Sequence, residues 1–213
     1  MISIREYVFE SNSSSCHSLT FSSNQPIKQL NNFKLNWCGN DFGWEQREYK
    51  DPQSKFSYWL VAFMIYITDY QIQEERKIRK TKDFWITDDK RYWNKYNGPS
   101  HLKSFTKAGN IFQQTILEII DVFKKHGVVF EFEIEGRGVL TEDEFIQDVQ
   151  KRSDEKSYSR DYTVLACDYG GYIDHQSGPC ESNACKKLAT MKPKKVFEWV
   201  FGDGYIVTDN DNH

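Results

Sequence analysis

With 213 residues and a net charge of −3, the chain is long enough for one domain with a sizeable core. It lacks the global basic field that drives tight non-specific DNA binding. Aromatic residues make up 15% of the chain, with 6 Trp, 12 Tyr and 15 Phe, so the core must be built from large rings whose polar tips need partners.

From the N-terminus, Ile4, Tyr7 and Phe9 alternate with polar positions, as do Leu19 and Phe21 among hydroxyl residues. This predicts two half-buried strands joined by a Ser-rich loop. The opening Met1-Ile2-Ser3-Ile4-Arg5-Glu6 lacks the charged start, apolar stretch and cleavage site of a signal peptide, so a cytoplasmic protein is expected. In that reducing setting five cysteines, an odd number, argue against a disulfide framework.

A further strand is expected over 31–37, followed by the turn-rich Gly39-Asn40-Asp41-Phe42-Gly43. Asp51-Pro52 has the form of a helix start, and Tyr58, Ala62, Ile65 and Tyr66 continue at helical spacing in a helix running to 78. The apolar run over 58–67 is about half the ~20 residues that cross a bilayer, which reads as a buried helix with no membrane role. Residues 81–107 are aromatic, charged and broken by Asn97-Gly98-Pro99, and are read as a loop or insertion. A second long helix is predicted over 110–125, where Ile111, Phe112, Ile116, Leu117, Ile119, Ile120 and Phe123 form one face and Gly127 follows as a stop.

Residues 128–134 alternate as a strand with Glu131 and Glu133 on its wet face. Thr141-Glu142-Asp143-Glu144 is a capping box opening a short helix to 150, and 151–160 reads as a polar loop. Strands over 162–166 and 172–173, a helix over 194–201 and a last strand over 205–208 complete the expectation. It is a single α+β domain over 1–213, with a mixed or antiparallel sheet packed against two longer helices.

Two polar clusters carry the chemistry. Ser13, Ser14, Ser15 and Ser18 could supply hydroxyls and loop amides to a phosphate, with His17 as acid or base; the competing reading is an Asn/Ser-rich turn that satisfies its own backbone. Near the far end, Asp174-His175-Gln176-Ser177 follows a short strand. On an extended chain Ser177 shares the face of His175, whereas Asp174 points away. His175-Gln176-Ser177 also fits the His-x-Ser form of two-histidine phosphoesterases, but His17-Ser18-Leu19 departs from it, with Leu19 where a hydroxyl belongs. We expect one site assembled from both ends of the chain. His17, His175 and Ser177 are its catalytic candidates, and Ser13, Ser14, Ser15, Ser18 and Asp174 are its ligand-binding ones.

Cys167, His175, Cys180 and Cys185 are potential zinc ligands within nineteen residues. Their spacing is not that of a standard ribbon or finger, and inert thiols are favoured over zinc. Asp203, Asp209 and Asp211 could meet Glu131 or Glu133 around a divalent cation, although a solvated turn and tail is the favoured reading. Lys186-Lys187, Lys192 and Lys194-Lys195 form a basic segment that reads first as a solvated surface. No Walker loop, dinucleotide fingerprint or nucleophile elbow is present.

The run Phe9-Glu10-Ser11-Asn12-Ser13-Ser14-Ser15-Cys16-His17-Ser18 resembles an N-terminal signature of a family of uncharacterised bacteriophage proteins, Phe-Glu-Thr/Ser-Asn-Ser-Ser-Ser-x-His-Ser. Tyr172 through Ser177 and the closing 201–212 are similar to that family as well. The three segments cover under a fifth of the chain. The resemblance implies a phage or prophage source, placing the protein in the cytoplasm of a host cell, and leaves the chemistry open. Two functions are therefore carried forward. One is an accessory protein, of use in anti-defence, whose Ser/His pocket binds or cleaves a phosphate-bearing ligand such as a nucleotide. The other is a non-catalytic inhibitor or adaptor, in one version zinc-stapled, that binds a host protein through Phe84, Trp85, Tyr92, Trp93 and Tyr96.

Overall fold

Asp51 starts the central helix as its cap, its Oδ1 accepting from the Ser54 amide at 2.8 Å, and Pro52 fills the first helical position, where no amide hydrogen is needed. The helix, α1 (Pro52–Arg79), is buried at every position from Lys55 to Ile65, so it has no solvent face along that stretch and must be covered on all sides. The computed structural model describes residues 4–7, 15–21, 29–39, 41–42, 47–79, 99–134, 138–154, 172–173 and 183–210.

The cover comes from α2 (Pro99–Lys125), α4 (Asn183–Ala189) and α5 (Pro193–Phe201), with α3 (Glu142–Asp154) packed on α2. Helix α2 ends at Gly127, whose φ of +84° is the left-handed conformation that glycine adopts without strain. A side chain there would meet the Leu30 carbonyl oxygen at 1.6 Å, so the close approach also requires glycine. Thr141 and Glu144 form the expected capping box: Glu144 Oε2 accepts from the Thr141 amide and hydroxyl, both at 2.8 Å.

Three small sheets share the strands. One is antiparallel, in the order β1 (Ile4–Tyr7), β2 (Ser15–Phe21), β9 (Tyr205–Asn210), β5 (Arg47–Tyr49). The second is mixed, with β3 (Phe33–Asn36) parallel to β6 (Val128–Ile134) and β7 (Gly138–Leu140) antiparallel to it. The third is the parallel pair of β4 (Asp41–Phe42) and β8 (Tyr172–Ile173). The α+β architecture on two longer helices is thus present, with its strands divided rather than joined in one sheet.

Rings fill the core as composition requires. Trp37 lies within 5.7 Å, centroid to centroid, of Phe56, Phe130, Phe132 and Phe145. The indole N–H groups of Trp37 and Trp59 are buried without a hydrogen-bond acceptor; for Trp37 the surrounding ring faces offer a weak substitute. Two expectations are corrected. Residues 99–107, read as part of the loop or insertion, are the first turns of α2, because Pro99 starts a helix as well as it breaks one. Residues 151–154 extend α3 beyond the polar boundary, since its exposed face tolerates charge. The expected strand over 162–166 lies outside the described residues, as do 80–98.

Candidate functional site

The pairing register of the antiparallel sheet joins the two ends of the chain. Strand β2 pairs with β9 so that Ser15 stands opposite Asn210, Cys16 opposite Asp209, His17 opposite Thr208 and Leu19 opposite Ile206. On the other side of β9, Arg47 stands opposite Thr208 and Tyr49 opposite Ile206. Directly opposed residues lie on one face of a sheet, so each trio forms a row across three strands.

Leu19, Ile206 and Thr208 are all buried, and Tyr49 packs against the core, which identifies this as the inner face. Along it an apolar row, Leu19–Ile206–Tyr49, gives way to a polar one, His17–Thr208–Arg47, and then to Ser15 and Asn210. Strands are roughly 4.8 Å apart, so positions 17 and 47 flank Thr208 across roughly 10 Å. The Thr208 hydroxyl donates to the Arg47 carbonyl oxygen at 3.4 Å. The Arg47 guanidinium carbon lies 5.9 Å from the Tyr49 ring centroid, a cation–π arrangement. A guanidinium and an imidazole position on either side of Thr208 make a row suited to a phosphate, since Arg offers a planar fork of donors.

The same register divides the residues predicted as a single cluster. Ser15 and His17 take inner-face positions, whereas Ser18, opposite Val207, belongs to the outer face with Cys16 and Asp209. Ser13, Ser14, Asp174, His175 and Ser177 lie outside the described residues. The strand leading into Asp174 is described: β8 pairs with β4, where Phe42 packs 5.2 Å from the Tyr49 ring and 5.0 Å from the Tyr58 ring. That small sheet therefore abuts the larger one at its β5 edge, the edge that carries Arg47. Arg47 was missed from sequence because Arg47-Glu48-Tyr49 is too short to announce a strand; its alternation about Glu48 was the available signal.

Lys55 fixes the start of β9, the end of that strand away from the polar row. Its ammonium donates to the carbonyl oxygens of Gly202 at 2.7 Å and Gly204 at 2.9 Å, tying the turn before β9 to α1. Burial pulls its pKa down to about 8, against the opposing pull of the Asp203 and Asp51 carboxylates. A second buried group, the Tyr58 hydroxyl, lies 3.3 Å from Cys185 Sγ.

Cys185 corrects two expectations. It is disulfide-bonded and buried, so the argument against disulfides fails at this residue, and its sulfur is not a thiolate that could bind zinc. Cys167, Cys180 and His175, the other zinc candidates, lie outside the described residues. Cys38 is a free thiol, pushed up in pKa chiefly by burial, which makes it a poor nucleophile. Glu131 pairs with Lys34, and among the described residues no three His, Cys, Asp or Glu side chains gather as a metal site. The aromatic candidates Phe84, Trp85, Tyr92, Trp93 and Tyr96 are outside the described residues. No helix among the described residues is long and apolar enough to cross a membrane. Compared with family models, curated proteins and solved structures, the chain gives no match.

Proposed function

We propose that the chain is a small phage-type accessory protein that binds a phosphate-bearing ligand, such as a nucleotide, at the polar end of the inner face of its antiparallel sheet. The observation that carries this reading is the register placing His17, Thr208 and Arg47 in one row, with Ser15 one row further out. Arg47 supplies donors to the phosphate oxygens, and Thr208, whose hydroxyl donates to the Arg47 carbonyl oxygen, holds that strand in place. His17 adds a further donor or, if a phosphoester bond is broken, an acid or base. Ser13 and Ser14 directly precede Ser15 in sequence, and their amides and hydroxyls suit the same anion. The N-terminal resemblance supports a phage source, and in a host cell capture or cleavage of such a ligand would serve anti-defence.

The test is calorimetric titration with inorganic phosphate and a panel of nucleoside mono- and diphosphates. Binding that weakens about tenfold in Arg47→Ala, as loss of a hydrogen bond to a charged group predicts, and less in Thr208→Val, which only loosens the strand behind it, supports the reading. Absence of binding, or equal binding in both variants, defeats it. A phosphodiester hydrolysis assay then decides between capture and cleavage: His17→Ala that retains binding but loses turnover assigns His17 a proton-transfer role.

A further inference from the structure

A cleft of about 240 Å³ opens between α1 and α4, lined by Ala62, Tyr66, Asp69, Tyr70, Gln73, Cys185 and Lys186. None of the residues of the row just described lines it. Its α1 wall repeats every three or four residues, so one stripe of the helix supplies two phenol rings, a carboxylate and an amide. The Tyr66 and Tyr70 rings are neighbours, their centroids 6.5 Å apart at a 37° tilt, and both residues line the cleft. The volume is just below the ~300 Å³ at which sites for drug-sized ligands begin, which suits one planar ring system.

One wall of the cleft is also the start of the basic surface. Lys186, Lys187, Lys192, Lys194 and Lys195 are all exposed, within ten residues of a chain whose net charge is negative. Lys195 is paired with Glu198. At the other end of the cleft, beside Gln73, Glu74 is neutralised by Lys107 at 2.6 Å. Positive charge is thus concentrated at the α4 side, next to a recess that offers ring faces and hydrogen-bonding groups. Aromatic platforms beside a basic track are the combination by which proteins hold single-stranded nucleic acid without reading its sequence.

We propose that the cleft between α1 and α4 accepts a nucleobase on the Tyr66 and Tyr70 rings, with the adjoining phosphate on Lys186 and the following lysines. Asp69 and Gln73 face the base edge, where a carboxylate accepts N–H groups and an amide both donates and accepts. The site is separate from the Arg47 row and stands or falls without it.

The experiment is fluorescence anisotropy of a short labelled oligodeoxythymidylate, with unlabelled thymidine monophosphate and a duplex as competitors, across a series of salt concentrations. Supporting results are single-strand binding that weakens about tenfold or more in Tyr70→Ala, is retained in Tyr70→Phe, and loses about 0.7 from its logarithmic salt slope in Lys186→Ala. If thymidine monophosphate competes as well as unlabelled strand, the ligand is a free nucleotide; if strand competes far better, it is a strand. Equal affinity for duplex with no effect of Tyr70→Ala would mean diffuse charge attraction and overturn the proposal, as would no binding at all. Arg47→Ala serves as the control: it leaves this binding intact while weakening any phosphate binding at the row.

Discussion

The Lys55 ammonium sits 2.9 Å from the carbonyl oxygen of Gly204, in a place closed to solvent, and so joins the second turn of α1 to the turn that launches the last strand. A charge in such a place is held against its hydration cost, and the lowered pKa of about 8 expresses that cost. The unfolded lysine keeps its proton up to about 10.5, so between these values the unfolded state binds more protons and stability must rise with pH.

Lys55→Met removes this titration. From pH 8 to pH 10 the stability of the wild type, measured by urea unfolding, is expected to gain about 2 kcal/mol relative to the variant. The raised pKa of Tyr58 has the opposite sign, because the folded state then holds the proton longer, and it erodes stability above about pH 10 in both proteins. Parallel pH profiles for the two proteins would show that Lys55 is not buried as a cation.

Gly127 and Gly138 share a positive φ but differ in their surroundings. Gly138→Ala meets no atom within 4 Å and is expected to cost only the left-handed strain, about 1–2 kcal/mol. Gly127→Ala adds a collision with the Leu30 carbonyl oxygen, so it should cost clearly more and shift the 29–33 segment. Equal thermal midpoints for the two variants would contradict this.

Gln53 imitates a neighbouring strand. Its Oε1 accepts from the Asn36 amide at 2.8 Å and its Nε2 donates to the Asn36 carbonyl oxygen at 2.9 Å, occupying part of the free edge of β3. Gln53→Ala is expected to lose about 1–2 kcal/mol and, by baring that edge, to raise the tendency to self-associate in sedimentation velocity. Gln53→Glu keeps the acceptor and loses the donor, and should fall between the two.

The Cys185 sulfur is expected to resist iodoacetamide in denaturant until a reductant is added, whereas Cys38 is alkylated in denaturant without one. Peptide mass mapping reads both outcomes. Alkylation of Cys185 without reductant would restore it as a thiol and reopen the question of metal.

The helices were legible from sequence where local signals agree: Asp51-Pro52 for α1, Gly127 for the end of α2 and Thr141 with Glu144 for α3. The nine residues 183–191 were read only as cysteine and lysine chemistry, because Cys185, Leu188 and Ala189 give α4 too short an apolar face to register as a period. Strands β4, β5 and β7 have two or three residues each, fewer than alternation needs to show itself. The same limit applied to the candidate site. His17 was visible as an unusual residue in a hydroxyl-rich run, but its alignment with Arg47 depends on β9 lying between them, a long-range pairing that no local pattern encodes. The separation of Ser18 from Ser15 also follows from strand formation; as a loop, the segment would not have divided between two faces.

The enclosure of α1 from Lys55 to Ile65 has a consequence for the order in which the molecule can form. Two of the helices that cover it, α4 and α5, and the strand that links β2 to β5 all come from the final 31 residues, 183–213. A nascent chain ending at α3 would carry an apolar helix partly bare and a β1–β2 hairpin with no third strand, the kind of exposed surface that recruits chaperones or aggregates. Folding to completion therefore waits on the C-terminal segment, and loss of those residues would dismantle the N-terminal hairpin's sheet as surely as a break within the hairpin itself.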